Sequence, residues 1–213
     1  MSAADAAAPL GVLRAGGRST RYGAPKALAR VAGMRIADRA LGALRDTLPE
    51  PVVAVANDPA LGAQLDVPTR PDLTPGLGPL GGILTALHWA AEEERNGVLC
   101  VSCDMPFLVP DLLRRIVALA GQGAWDVVAP ASEGPRGIEP LHAWYGPRCL
   151  PAVEAALARE DRRVVAFHGD VRVHRIPLEE VRRYGDPAVL FLNVNTPADR
   201  ERAEAMALGE ESA

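Results

Sequence analysis

Fourteen consecutive residues, Leu13 to Lys26 (LRAGGRSTRYGAPK), place three glycines, three arginines, a serine, a threonine and a terminal lysine where an apolar run has just ended. Little in this stretch could pack in a core. Glycine lets a ligand approach the backbone closely, and successive N–H groups then form a concave cradle for an anion. Arginine forks onto phosphate oxygens, whereas lysine is a point charge that can follow a phosphoryl group as it moves. The expected chemistry is therefore phosphate binding. Spacing excludes two common phosphate loops. G-x-G-x-x-G fails because Gly16 and Gly17 are adjacent and the next glycine is Gly23, and the mononucleotide loop fails because Ala27, not Ser or Thr, follows Lys26. A plain surface loop is the simpler alternative.

A second candidate closes the apolar run VLCVSCDMP (98–106), which stops at the carboxylate of Asp104 and a proline. In open parallel sheets ligands lie beyond the carboxyl ends of strands, so Asp104 is expected on the same rim as the glycine-rich loop. Magnesium keeps several of its waters, so one or two protein carboxylates plus nucleotide phosphates suffice to hold it. Asp104 could instead be a turn acid, or cap the helix expected after Pro110.

Cys100 and Cys103 form a C-x-x-C pair, but no second pair exists, and His88, His142, His168 and His174 show no ligand spacing with it. Residues three apart in a strand point to opposite faces, so buried structural thiols are expected. The histidines are expected to be surface or partly buried residues.

The elements that must position these groups alternate between apolar runs and helical periodicity, the pattern of βαβ units and a mostly parallel sheet. Strands are expected at 10–14, 52–56, 98–102 and 126–131, then at 171–176 and 189–195 (VLFLNVN), with 138–145 extended. Helices are expected from the 3.6-residue spacing of Ile36, Ala37, Ala40, Leu41 and Leu44, of Ile83, Leu84, Leu87 and Ala91, and of Leu112, Leu113, Ile116, Val117 and Ala120. Residues 147–157 also read as helical, and 68–82 as a long Gly/Pro loop. Thr196-Pro197-Ala198-Asp199 opens the last helix, with a cap, an N1 proline and an acid three residues on.

With 213 residues, 48% hydrophobic and 23% charged, the chain suits one sizeable domain with a real core. That domain is expected over 10–207, with tails at 1–9 and 208–213. A net charge of −4 argues against nucleic-acid or membrane-surface binding, so any anion must meet a local cationic cluster. The opening residues have neither the basic start nor the apolar run of a signal peptide, and no apolar run reaches the ~20 residues of a spanning helix. A cytoplasmic protein is expected. Three cysteines make no disulfide framework.

AGGRSTRYGAPK resembles the L-A-G-G-x-S-x-R-M-G-x-x-K signature of glycosyltransferase-A-like nucleotidyltransferases, most closely the molybdenum cofactor guanylyltransferase family. GPLGG (78–82) is similar to that family's GPLAG segment, CDMPFL (103–108) to its C-D-x-P element, DRRVVAF (161–167) to its R-R-V segment and FLNVNTPAD (191–199) to its F-x-N-x-N-T-P ending. The five matches occur in order from about Leu10 to Asp199. Arg14 stands where the family usually has leucine and Tyr22 where it has methionine.

The resemblance implies a three-layer α/β/α sandwich with a mostly parallel sheet, Rossmann-like without the dinucleotide fingerprint. It implies transfer of GMP from GTP to the phosphate of molybdenum-bearing molybdopterin. Lys26, Arg21 and Asp104 would be catalytic. Arg14, Ala15, Gly16, Gly17, Lys26, Asn57, Asp72 and Asp104 would contact GTP, with Asn57 near the base and ribose. Asp104 would hold Mg2+, with Asn195 a candidate second ligand. Gly81, the Arg162-Arg163 pair and the segment 132–139 are candidates for the acceptor. Asn57, Asp72 and Asn195 could equally be turn or pre-cap residues, and Arg162-Arg163 a solvated charge run. Partners would be GTP and molybdopterin, together with proteins that deliver molybdopterin or act as molybdoenzyme chaperones. Cytidylyl transfer to the same pterin, sugar-phosphate or isoprenoid nucleotidyl transfer, and a non-catalytic nucleotide or pterin carrier remain alternatives.

Overall fold

In the computed structural model, which describes residues 8–16, 26–49 and 51–209, the chain builds a seven-stranded sheet between two helical layers. The strands are β1 (Leu10–Arg14), then the small hairpin β2 (Arg30–Val31) and β3 (Met34–Arg35), β4 (Val52–Val55), β5 (Thr69–Arg70), β6 (Val98–Ser102), β7 (Val127–Pro130), β8 (His142–Tyr145) and β9 (Val173–Ile176). The helices are α1 (Ile36–Thr47), α2 (Pro59–Gly62), α3 (Gly78–Glu92), α4 (Pro110–Ala120), α5 (Cys149–Ala158), α6 (Leu178–Val181), α7 (Pro187–Leu190) and α8 (Pro197–Leu208).

The main sheet runs β5-β4-β1-β6-β8-β7-β9, with β2 and β3 forming a separate pair. β8 is antiparallel to both β6 and β7; the other pairings in the main sheet are parallel. Strands covered on both faces need no polar alternation, which is why β1, β4 and β6 read as continuous apolar runs. Leu13, Leu99 and Val101 face one core with Leu41 and Leu44 of α1 and Leu112 and Ile116 of α4. Val12, Val98 and Cys100 face the other, with Leu80 and Ile83 of α3 and Val153 of α5. Truncating a fully buried leucine such as Leu99 to alanine would cost about 2–5 kcal/mol. Gly97 turns the chain into β6 at φ +90°, and a Cβ there would meet the carbonyl oxygen of Tyr145 at 2.3 Å, so only glycine fits.

The segment 189–195 corrects an expectation, because it is not a strand. Asp186 caps a short helix by accepting from the Ala188 amide at 2.9 Å, and Pro187 stands in its first turn. Residues 191–195 then run irregularly, with Val194 fully buried. Their apolar content serves burial over the sheet edge rather than ladder pairing. The stretch 68–82 is likewise not all loop: Thr69–Arg70 pairs with β4, and α3 begins at Gly78. The hairpin β2–β3 turns through Ala32 and Gly33, both at positive φ. The last helix carries the expected capping box, with Thr196 and Asp199 each accepting from the other's amide.

Among the described residues, no helix is long and apolar enough to cross a membrane. Residues 1–7 and 210–213, within the stretches expected as tails, lie outside the described residues.

Candidate active site

The carboxyl ends of β4, β1 and β6 meet the start of β8 at one rim. Backbone bonds set this arrangement: Ala15 N to the Val55 carbonyl at 2.9 Å, Cys103 N to the Arg14 carbonyl at 3.1 Å, and Ser102 N to the Leu141 carbonyl at 3.0 Å. Ala15, Asn57 and Asp104 therefore share the rim, and Glu139, two residues before Leu141, joins them.

Asp104 is half-buried, and its Oδ1 accepts from the Ser102 hydroxyl at 2.5 Å. Its backbone carbonyl accepts from Val194 N at 2.8 Å, which brings Asn193 and Asn195 beside it. Asn193 Nδ2 donates to the Phe191 carbonyl at 2.9 Å, and the Asn195 amide donates to Asp199 Oδ2 at 2.9 Å. Glu139 is buried, and its Oε1 accepts from the Leu141 amide at 3.3 Å. Burial pushes its carboxyl up from the usual range, and the nearby Asp104 carboxylate adds to the effect. In sequence this acid is hidden inside an apolar extended stretch; the one signal is a charge surrounded by IEPLHAWY.

Among the described residues, no three His, Cys, Asp or Glu side chains gather in the manner of an all-protein metal cage. A half-exposed carboxylate at the rim, with one oxygen steadied by a hydroxyl, fits a hard cation that takes its remaining oxygens from phosphate and water. Lys26 opens a short 3-10 turn, Lys26–Leu28, in which Ala27 is buried. Just beyond, Ala29 and Val31 share a cluster with Phe107, Leu192 and Val194. Ala29 and Val31, after that turn, thus pack with Phe107, which follows Asp104 by three residues. Gly17 and Arg21 lie outside the described residues.

The β4–β5 side of the rim is built on a reciprocal pair. Asn57 Nδ2 donates to Asp72 Oδ2 at 2.6 Å, and the Asp72 amide donates back to Asn57 Oδ1 at 2.7 Å. Arg14 reaches over from β1, its Nη2 donating to the Gly78 carbonyl at 3.2 Å and lying 3.6 Å from Asp72 Oδ2. Thr85 ties the loop to α3, donating to the Gly81 carbonyl at 3.0 Å and accepting from the Leu73 amide at 2.9 Å. Gly81 is buried within the first turns of α3. Arg162 and Arg163 are exposed on the stretch after α5, where Arg163 forks onto Asp161, with Nη2 to Oδ2 at 2.5 Å. That fork holds the Asp161 carboxyl low, at about 2.

Cys100 and Cys103 fall in opposite cores, as strand geometry requires, and burial pushes the Cys100 thiol up to about 12. Both are structural. His142 corrects an expectation: it is 0% exposed, neither ring nitrogen has a hydrogen-bond partner among the described residues, and it packs edge-on to Phe191 at 5.4 Å. Its place at the start of β8, under the 191–195 segment, encloses it.

The family model described as the MobA-like NTP transferase domain matches residues 11–173. A probable molybdenum cofactor guanylyltransferase of Pelotomaculum thermopropionicum is 36% identical over 197 residues, covering 92% of each chain. The molybdenum cofactor guanylyltransferase of Rhodopseudomonas palustris is 32% identical over 213 residues, covering 98% of this chain and 97% of its own. Among solved structures, molybdopterin-guanine dinucleotide biosynthesis protein A from Archaeoglobus fulgidus superposes with a TM-score of 0.79 at 24% identity, over 94% of this chain and 99% of that one. A rim that gathers a glycine-rich strand end, an acid after β6 and an Asn–Asp pair, in a chain matched over most of its length, belongs to a member of the MobA-like NTP transferase domain family.

Proposed function

We propose that this chain transfers GMP from GTP to the terminal phosphate of molybdenum-bearing molybdopterin, releasing pyrophosphate and forming the guanine dinucleotide cofactor. The observation that supports the reading is Asp104, steadied by Ser102, at the rim where β1 and β6 end, in a chain similar to guanylyltransferases over most of its length. An oxygen of the acceptor phosphate attacks the α-phosphorus. A new P–O bond forms there as the bond to the β-phosphate breaks, and the electron pair leaves with pyrophosphate. Because the acceptor is already anionic at neutral pH, the residues' task is in-line positioning and charge neutralisation rather than proton abstraction.

Asp104 would hold Mg2+, with Asn195 a candidate second ligand, and the bound ion would neutralise phosphate oxygens during transfer. The amides from Ala15 to Gly17 would cradle the polyphosphate, and Lys26 and Arg21 would neutralise the transferred group and the leaving pyrophosphate. Asn57 and Asp72 would receive the nucleoside. Arg162, Arg163, Gly81 and the 132–139 segment remain the candidates for the acceptor. A protein that hands over molybdopterin is the expected partner class, and we place the reaction in the cytoplasm.

Lys26→Ala should lower pyrophosphate release from GTP plus molybdopterin by on the order of a hundred- to thousandfold while leaving the fold intact, the usual size for losing a donor aimed at transition-state charge. Near-normal turnover in folded Lys26→Ala protein would remove Lys26 from the machinery. An absence of pyrophosphate release in the wild type would point to a carrier instead of an enzyme.

A further inference from the structure

Glu139 is an acid only 7% exposed, at the end of the segment that carries the chain from β7 back into β8. Its amide donates to the Pro130 carbonyl at 3.0 Å, which pins it to the exit of β7. The β6–β8 register runs from Val98 opposite Tyr145 to Val101 opposite His142, so Leu141 stands opposite Ser102. The Ser102 amide donates to the Leu141 carbonyl at 3.0 Å, as a continued antiparallel ladder requires. The return bond is not made: the Leu141 amide donates instead to Glu139 Oε1 at 3.3 Å. A carboxyl thus takes the place of the last rung, beside the residue whose hydroxyl holds Asp104 Oδ1 at 2.5 Å.

Oε1 has that single long bond, and Oε2 accepts no hydrogen bond among the described residues. Yet Oε2 is not sealed in, for the enclosed side-chain atoms left without a partner belong to Arg14, Asp72, Arg95, His142 and His168. The charges that act on the Glu139 carboxyl are those of Arg136 and Asp104, and among the described residues no ion pair joins Arg136 to it. Two carboxyls are therefore held near each other across Ser102. Burying a carboxylate is costly unless a cation or donors meet it, and like charges held close repel. One divalent ion between Glu139 and Asp104 would answer both costs.

We propose that Glu139 is a second carboxylate ligand of the divalent cation, sharing with Asp104 an ion that takes its remaining oxygens from the triphosphate and water. This rests on the guanylyl-transfer reading, in which Asp104 holds Mg2+, and adds a ligand to it. Magnesium is typically held by one or two carboxylates plus substrate phosphates, so the pair suffices without the three-residue cage that the described residues do not form. Glu139 is tied to β7 through its amide and to β8 through Oε1, and a ligand anchored in this way fixes where the ion lies relative to the sheet. β6 and β8 are neighbours, between the Asn57–Asp72 pair at β4–β5 and the 132–139 segment that follows β7. An ion held there would stand where nucleotide and acceptor meet.

The test uses Mn2+, an oxygen-seeking octahedral cation followed by electron paramagnetic resonance, titrated with GTP present into wild type, Glu139→Gln and Asp104→Asn. Metal-free GTP binding and circular dichroism report the nucleotide site and the fold. Glu139→Gln keeps an oxygen for the Leu141 amide and should bind Mn2+ about tenfold or more weakly, with metal-free GTP affinity changed by less than about threefold. Wild type carrying a magnetic carbon isotope in its glutamate carboxyls should show carbon hyperfine coupling to the bound Mn2+. Unchanged Mn2+ affinity in Glu139→Gln overturns the proposal, and so does weakened affinity without carbon coupling, which would make Glu139 a nearby charge and not a ligand. If Glu139→Gln does not fold, the coupling in wild type decides alone. Affinity lost in Asp104→Asn but kept in Glu139→Gln overturns only the role of Glu139. A wild type that binds no Mn2+ with GTP, or an Asp104→Asn that keeps it, overturns Asp104 as the metal residue of the guanylyl-transfer reading itself.

Discussion

The Ser102 hydroxyl lies 2.5 Å from Oδ1 of Asp104, joining a buried residue at the end of β6 to a half-buried carboxylate at the rim. A carboxylate that must hold a hard cation gains from having its own orientation fixed by a hydrogen bond, and losing such a bond typically weakens metal affinity or activity about 10–100-fold. Ser102→Ala should therefore shift the Mg2+ dependence of pyrophosphate release to higher concentration by about tenfold, with partial recovery in excess Mg2+. A titration of rate against Mg2+ checks this. An unchanged midpoint would make the hydroxyl a strand-end feature alone.

Asn57 and Asp72 bond each other twice, across the exits of β4 and β5. Asn57→Ala removes both bonds and leaves a buried carboxylate short of a donor, a loss of about 1–3 kcal/mol. The expected result is a KM for GTP raised about tenfold, with kcat much less affected, because in the proposed function the pair receives the nucleoside and not the transferred phosphate. Steady-state kinetics with GTP varied separate the two. A loss confined to kcat would place Asn57 at the reacting centre instead.

Much of this arrangement was legible in sequence, for identifiable reasons. β1, β4 and β6 are buried on both faces, so each announces itself as an unbroken apolar run, and the rim position of Asp104 follows from the parallel order. The 191–195 segment misleads because burial, not ladder pairing, is what apolar residues report: Val194 is as buried as a strand residue while its amide bonds the Asp104 carbonyl. Arg14 is visible as a departure from the motif, but its partner Asp72 stands far along the chain, and only the adjacency of β1, β4 and β5 brings the two together. Glu139 stood only at the end of the candidate segment 132–139, and its burial beside Asp104, like that of His142, was unreadable for a related reason. β8 starts at the rim and runs antiparallel away from it, and nothing local in IEPLHAWY indicates that reversal.

At the opposite end of the sheet, Asp126 holds the starts of β7 and β9 together, accepting from the Arg172 amide at 3.0 Å and from its guanidinium at 3.0 and 2.9 Å. The Arg172 hydrogen bonds hold the Asp126 carboxyl down at about 2. A carboxyl depressed in the folded state adds stability above its unfolded value near 3.9, and that stability is lost as pH falls toward 2. Arg172→Ala should thus melt several degrees below wild type at pH 7, and the gap should close progressively between about pH 4 and 2. Melting curves across that range check it. A gap independent of pH would assign the effect to packing.

His142 is the opposite case, a buried base with no hydrogen-bond partner on either ring nitrogen among the described residues. Burial pushes its pKa down to about 3, so the ring is neutral in the folded protein while the unfolded chain protonates near 6.5. Below pH 6.5 the unfolded state binds the proton that the folded state refuses, and stability falls steadily until about pH 3. His168, pushed to about 4 by burial and by Arg175, acts with the same sign but is common to both proteins, so it cancels in a difference. His142→Leu removes unpaired polar atoms from an apolar site beside Phe191, and at pH 7 it should stabilise the protein by about 1–2 kcal/mol. The advantage should widen as pH is lowered from 7 to 4. Denaturant melts of the two proteins at pH 7, 5.5 and 4 decide the matter: a constant or shrinking difference would mean that the imidazole finds a partner, or takes up a proton, inside the fold.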